Sequence, residues 1–216
     1  MAQCTQAPKD AVHLRRGAAA IKSGLRRLLH WRHDWDTRFA PVAWEATREP
    51  TSQHNSPDLN HSAGAEKVLC YLNFARAIES SLYNATVILL IDTLRGSHMP
   101  ENLSEEIMQD LKDLGTVRGT QNQPKSALLD ASRIWSTTDL AKEIVRAFEF
   151  QLAYIGICHE STLIWLFPLG VASQRLESDK EWSLWARELV RQSRNTYAEP
   201  YSLLERFASG QFCLDT

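Results

Sequence analysis

Residues 178–195 carry the pattern that most narrows what this chain can fold into. Trp182, Trp185, Ala186, Leu189 and Val190 fall at i, i+3, i+4, i+7 and i+8, the spacing that lines one face of an α-helix. Ser178 and Glu181 precede them as an S-x-x-E capping box, in which hydroxyl and carboxylate satisfy reciprocal free backbone N–H groups. The same period returns along the chain. Ile21, Leu25, Leu28, Leu29, Trp35 and Phe39 predict a first helix over roughly 10–38. Val68, Leu69, Leu72, Ala75, Ile78 and Leu82 predict a second over about 65–95. From Ser80 to Ile91 this second helix has no charge, so it should be buried on most sides, and Gly96 is placed to end it.

Further helices are expected at Leu103–Leu114, from Ser136 or Thr137 onward, and at 201–207 after Pro200. In the helix opening at Ser136 or Thr137, Asp139, Lys142, Glu143, Arg146 and Glu149 predict a charged side. Leu140, Ile144, Val145, Phe148 and Leu152 predict the apolar one. Pro168 should kink or restart the helix around it. Residues 40–64, with Pro41, Pro50 and Pro57, and residues 115–126 are polar and predict loops or linkers. No sustained two-residue alternation predicts a strand, and no repeat of 20–50 residues is present. The expectation is an all-α, multi-helix bundle of six to eight helices, forming a single domain over residues 1–216.

Composition bounds the function classes. Of 216 residues, 44% are hydrophobic and 23% charged, with only 9 Gly, 8 Pro and 4 Cys, which excludes collagen-like chains and disulfide scaffolds. Net charge is −2, but residues 1–40 hold eight Lys and Arg against three Asp, a local +5. That basic first helix could meet an acidic partner surface or phosphates, although it lacks the compact basic run of a DNA reader. Residues 151–173 form the most apolar stretch, yet His159, Glu160 and Pro168 interrupt it, which favours a buried helix pair over a membrane span. The N-terminus has no apolar core of signal-peptide length, so an intracellular location is expected. The Asn-x-Ser/Thr tripeptides at Asn60, Asn84 and Asn102 then carry no glycosylation meaning.

Local chemistry offers little. His30 and His33, three apart on a helix beside Asp34 and Asp36, could hold a divalent metal, but Arg26, Arg27 and Arg32 surround them and oppose a dication. His159-Glu160 opens like a zinc-protease helix, but Leu163 stands where the second His must fall, so a buried His–Glu pair, or two residues at the edge of a helix, is the simpler expectation. Cys4, Cys70, Cys158 and Cys213 are too scattered for a zinc knuckle or redox pair. Phosphate-binding glycine loops and a hydrolase nucleophile elbow are both missing. Seven tryptophans are many for this length; Trp31/Trp35 and Trp182/Trp185 sit on helical stripes and predict core packing. No catalytic, metal or cofactor residue is assigned.

Three segments and a closing helix carry a family likeness: LRRLLHWRHDWDTR (25–38), KVLCYLNFARAIESSLYNATVILLIDTL (67–94), LIWLFPLGVASQRLESDKEWSLWARELV (163–190) and YSLLERF (201–207). In order and spacing they resemble the C-terminal regulatory region of fungal-specific transcription factors of the binuclear zinc-cluster family. The resemblance implies a non-catalytic, nuclear or cytoplasmic regulatory domain that acts through a co-regulator protein or a small-molecule effector. In that family DNA is read by six closely spaced cysteines binding two zinc ions. This chain's four isolated cysteines cannot build that cluster, so no direct DNA recognition is carried over. Two other readings compete: a helical enzyme with a metal near His30/His33, and a protein-interaction scaffold using the basic first helix.

Overall fold

A computed structural model describes residues 7–47, 67–96, 109, 127–129, 136–155 and 159–196. These are mostly helical. Five α-helices are present among them: α1 (Ala7–Phe39), α2 (Phe74–Gly96), α3 (Thr137–Phe150), α4 (His159–Leu176) and α5 (Lys180–Thr196). A π-helical turn, Gln151–Ile155, extends α3. The helix expected at 201–207 and the loop at 115–126 lie outside the described residues, as does the helix expected at 103–114 apart from residue 109.

The all-helical expectation needs one correction. A two-stranded antiparallel sheet joins β1 (Ala43–Thr47) to β2 (Lys67–Tyr71), pairing Ala43 with Tyr71 and Glu45 with Leu69. β1 falls inside the expected 40–64 loop, and β2 takes what looked like the first turns of a helix from residue 65. Val68, Leu69, Cys70 and Tyr71 are all buried, so β2 shows a continuous apolar run in place of alternation. Short runs of that kind look alike in strands and buried helices. The chain commits to a helix only at Asn73, whose side-chain oxygen accepts the Arg76 N–H at 3.1 Å and caps α2.

The core forms around α3, which packs on α2, α4, α5 and β2. Phe148 and Trp165 meet at 5.3 Å between ring centroids, and Tyr71 meets Phe150 at 5.6 Å, tying α4 and β2 to the same helix. Each such side chain contributes about 1.5–3 kcal/mol on burial. α4 runs through Pro168 as one helix and does not restart there. Among the described residues only α2 is long and apolar enough to cross a membrane, and half of its most apolar window is packed inside the protein.

α1 and α2 run antiparallel. Trp31 stacks on Tyr83 at 5.6 Å, and seven residues back on α1 a Cβ at Gly24 would stand 3.5 Å from Leu90, seven residues on along α2. Gly17, two turns before Gly24 on the same side of α1, has no heavy atom within 4 Å of its Cβ position. Gly17→Ala should therefore raise stability by about 1 kcal/mol through helix propensity alone, measurable by denaturant unfolding. A loss would mean that this part of α1 is not helical in solution.

The start of α5 differs from the expected cap by one residue. Asp179 caps it: Oδ1 accepts the Trp182 N–H at 3.3 Å, and the backbone carbonyl accepts Ser183 N–H at 2.9 Å. Its other oxygen pairs with Lys142 of α3 at 2.8 Å, so one carboxylate both caps α5 and docks it. Trp185, Ala186, Leu189 and Val190 are buried as their spacing requires, with Trp182 packed against them. The hydrogen bond from Lys142 holds the Asp179 carboxyl below its ordinary value, outweighing burial. A depressed carboxyl contributes stability above its unfolded value and loses it as pH falls through the folded one. Asp179→Ala should cost about 1 kcal/mol at neutral pH, with the difference from the parent vanishing below the ordinary Asp range. Unfolding curves at both pH values check it.

Candidate functional site

The structure draws one charged residue from the basic first helix and one from the charged side of α3 into a single interior cluster. Arg32 lies at i+7 from Leu25 and i+3 from Leu29, so it shares their inward face and is only 2% exposed. Glu143 sits at i+3 from Leu140 and i+4 before Ala147 on α3, and is 4% exposed.

Glu143 is the acceptor at the centre. Its Oε1 takes hydrogen bonds from Asn84 Nδ2 at 2.8 Å and Ser80 Oγ at 3.2 Å, both on α2. Its Oε2 takes the backbone N–H of Leu129 at 2.7 Å. Arg32 donates from Nε to Asp36 Oδ2 at 3.0 Å and reaches the Leu129 carbonyl at 3.5 Å. The segment 127–129 is thus held from both sides, and Ala127 N–H also bonds the Ala43 carbonyl of β1 at 3.1 Å. Four parts of the fold meet here: α1, α2, α3 and the strand that leads into the sheet.

Aromatic rings wall the cluster. The Arg32 guanidinium lies 5.3 Å from the ring centroids of both Trp35 and Tyr83, a cation–π arrangement. Trp31 stacks on Trp35 at 5.7 Å. Beside them Trp35 Nε1 donates to Glu79 Oε2 at 2.6 Å, and Glu79 also pairs with Arg76, whose guanidinium covers the Phe39 ring at 3.8 Å.

Burial alone would lower the Arg32 pKa, but the Asp36 and Glu143 carboxylates outweigh it and raise it, so Arg32 stays charged. Burial raises the Asp36 carboxyl despite Arg32. Tyr83 is pushed up to about 12, chiefly by burial, and Tyr71 is also pushed up by burial and by the Glu143 charge. These hydroxyls stay protonated, and Arg32 and Glu143 are already committed to protein partners. A second network lies nearer the surface: Glu45 of β1 pairs with Arg146 at 2.8 Å and Lys67 at 3.4 Å, and the Arg146 hydrogen bond leads in lowering its pKa.

The outer surface has a different character. Leu82 and Leu89 of α2 and Ile164 and Phe167 of α4 keep 36–42% of their surface exposed. The α4 residues Ile164, Phe167, Val171 and Arg175 share a helical stripe, and Arg175 ends on Asp92 in an ion pair. Asp92 in turn continues the α2 stripe Leu82–Ala85–Leu89, so both apolar rows flank one seam. Phe167 lies about 12 Å along α4 from the ion pair. Thr86 and Thr93 of α2 turn their hydroxyls back onto the carbonyls of Leu82 and Leu89 at 2.7 Å each, satisfying those groups locally. The result is an apolar face made by two packed helices.

The residues singled out from sequence fare unevenly. His30 is exposed and His33 half-buried, and among the described residues no group of three or more His, Cys, Asp and Glu gathers as a metal would require. His159 and Glu160 open α4, but their side chains lie outside the described residues. Arg16, Arg26 and Arg27 are exposed along α1, as a basic outer face needs. Asn84 is fully buried and bonded to Glu143, which closes it to glycosylation in the folded chain. Cys70 is a buried free thiol, while the other three cysteines lie outside the described residues. Trp35, Trp165 and Trp185 are core residues, whereas Trp31 and Trp44 remain well exposed.

No family model matches the chain, and neither a curated protein nor a solved structure does.

Proposed function

We propose that this chain is a non-catalytic regulatory domain of transcription that works by binding a co-regulator protein. The observation that carries the reading is the division between inside and outside. Its densest polar chemistry is locked in an interior network, while Leu82, Leu89, Ile164 and Phe167 stand aligned on an outer face. A partner helix laid along that seam would remove these side chains from water, at about 25 cal/mol for each Å² of apolar surface covered. The segment order shared with fungal zinc-cluster regulators supplies the transcriptional context. It also supports a nuclear location and a division of labour in which another module reads DNA. Amphipathic helices at 103–114 and 201–207 would bring the bundle to seven helices, within the range its periodicity predicts.

The reading is tested by tethering. The full chain, fused to an unrelated DNA-binding module, should raise or lower transcription of a reporter bearing that module's site. A fusion that is folded and nuclear yet leaves the reporter at the level of the module alone would sink the proposal.

A further inference from the structure

Among the described residues, three buried polar atoms around Glu143 and Arg32 have no hydrogen-bond partner: Asn84 Oδ1, Tyr83 Oη and Asp36 Oδ1. They lie at two places. Asn84 holds Glu143 through Nδ2, beside Ser80, which holds the same carboxylate oxygen and is itself within hydrogen-bonding reach of the Tyr71 hydroxyl. Asp36 holds Arg32 through Oδ2, and the Tyr83 ring lies under the same guanidinium. None of these groups can correct itself by a simple turn. Flipping the Asn84 amide would set its oxygen against the Glu143 carboxylate. Turning Asp36 would only exchange one unpaired oxygen for the other.

Buried polar groups in folded proteins find partners, and where protein atoms do not supply them, ordered water does. Apolar cavities stay dry, but a space bounded by two to four polar atoms holds water, about one molecule per 27 residues of globular protein. At that density a chain of 216 residues holds several. We infer that ordered water is a fixed part of this cluster, bound at Asn84 Oδ1 beside Glu143 and bridging Tyr83 and Asp36 beside Arg32. A water donates to the amide and carboxylate oxygens and accepts from the Tyr83 hydroxyl, the complement of what these groups lack. The hydrated cluster is then complete in itself, a rigid joint between α1, α2 and α3 with no polar group left for an effector.

The test uses the full chain in solution. Water-to-protein cross-relaxation should show long-lived water at the Asn84 side-chain amide protons. Tyr83→Phe should lower the folding equilibrium constant about five- to tenfold, because it removes a hydrogen bond to bound water. A dry cluster gives the opposite result. No cross-peak at Asn84, or a Tyr83→Phe variant as stable as the parent or more so, overturns the inference, since deleting an unpaired hydroxyl from a dry interior relieves a cost.

Discussion

Glu143→Ala is expected to destabilise the chain by about 3–5 kcal/mol, the largest loss predicted for any polar residue in it. The carboxylate satisfies Asn84, Ser80 and the Leu129 N–H at once, and all three donors are left in the interior when it goes. For a protein of this length the melting temperature should fall by on the order of 10 °C. Glu143→Gln keeps the shape and one acceptor oxygen but turns an NH₂ toward one set of donors, so its loss should be smaller yet clear. Circular dichroism melts and urea titrations of the three chains measure the series. A loss below about 1 kcal/mol for Glu143→Ala would show that the carboxylate is not the hub of the cluster.

Arg32→Met should rank second, at about 3 kcal/mol, because it keeps the apolar volume while removing the one cation between Asp36 and Glu143. The pH dependence has a definite sign. Burial already raises the Asp36 carboxyl in the folded chain, and loss of Arg32 raises it further. A carboxyl raised on folding binds more protons in the folded state, so stability falls as pH rises from its unfolded value to its folded one. The Arg32→Met chain should therefore lose more at neutral pH than at the acid end of that window. Asp179, whose carboxyl is lowered, pulls the other way, so the two residues are separable by pH. Combining Arg32→Met with Glu143→Leu should cost less than the sum of the two, since the Arg32 and Glu143 charges attract each other within one buried network and each single variant leaves the other charge without that attraction. Full additivity would mean that the two residues do not share one network.

Periodicity located the helices well because it is a local property. Leu25, Leu29 and Trp35 face inward, and Trp185, Ala186, Leu189 and Val190 do the same at their predicted spacing. What escaped the sequence was non-local. β2 pairs with a strand twenty residues earlier, and no pattern within Val68–Tyr71 reports that partner. A reading by charge alone misplaces Arg32 and Glu143. Their spacing from Leu25 and Leu140 already put them on inward faces, and a charge on an apolar stripe calls for a buried partner. Asp179 took the cap from Ser178 because both are good capping residues, and Lys142 on a neighbouring helix favours the carboxylate. The apolar outer face was hardest to see, since Ile164 and Phe167 in the sequence look like any other core residues. Only the packing of α3 against the opposite side of α4 leaves them outside.

We propose that this outer face does the regulatory work and that the interior cluster holds it in shape. Reporter output from the tethered chain carrying Leu89→Asp and Phe167→Asp decides between this and a regulatory surface elsewhere. Both side chains are already partly exposed, so the variant should melt within a few degrees of the parent. This folded variant should leave the reporter at the level of the DNA-binding module alone. A variant that melts like the parent and still regulates like it would show that the outer face does not do the regulatory work.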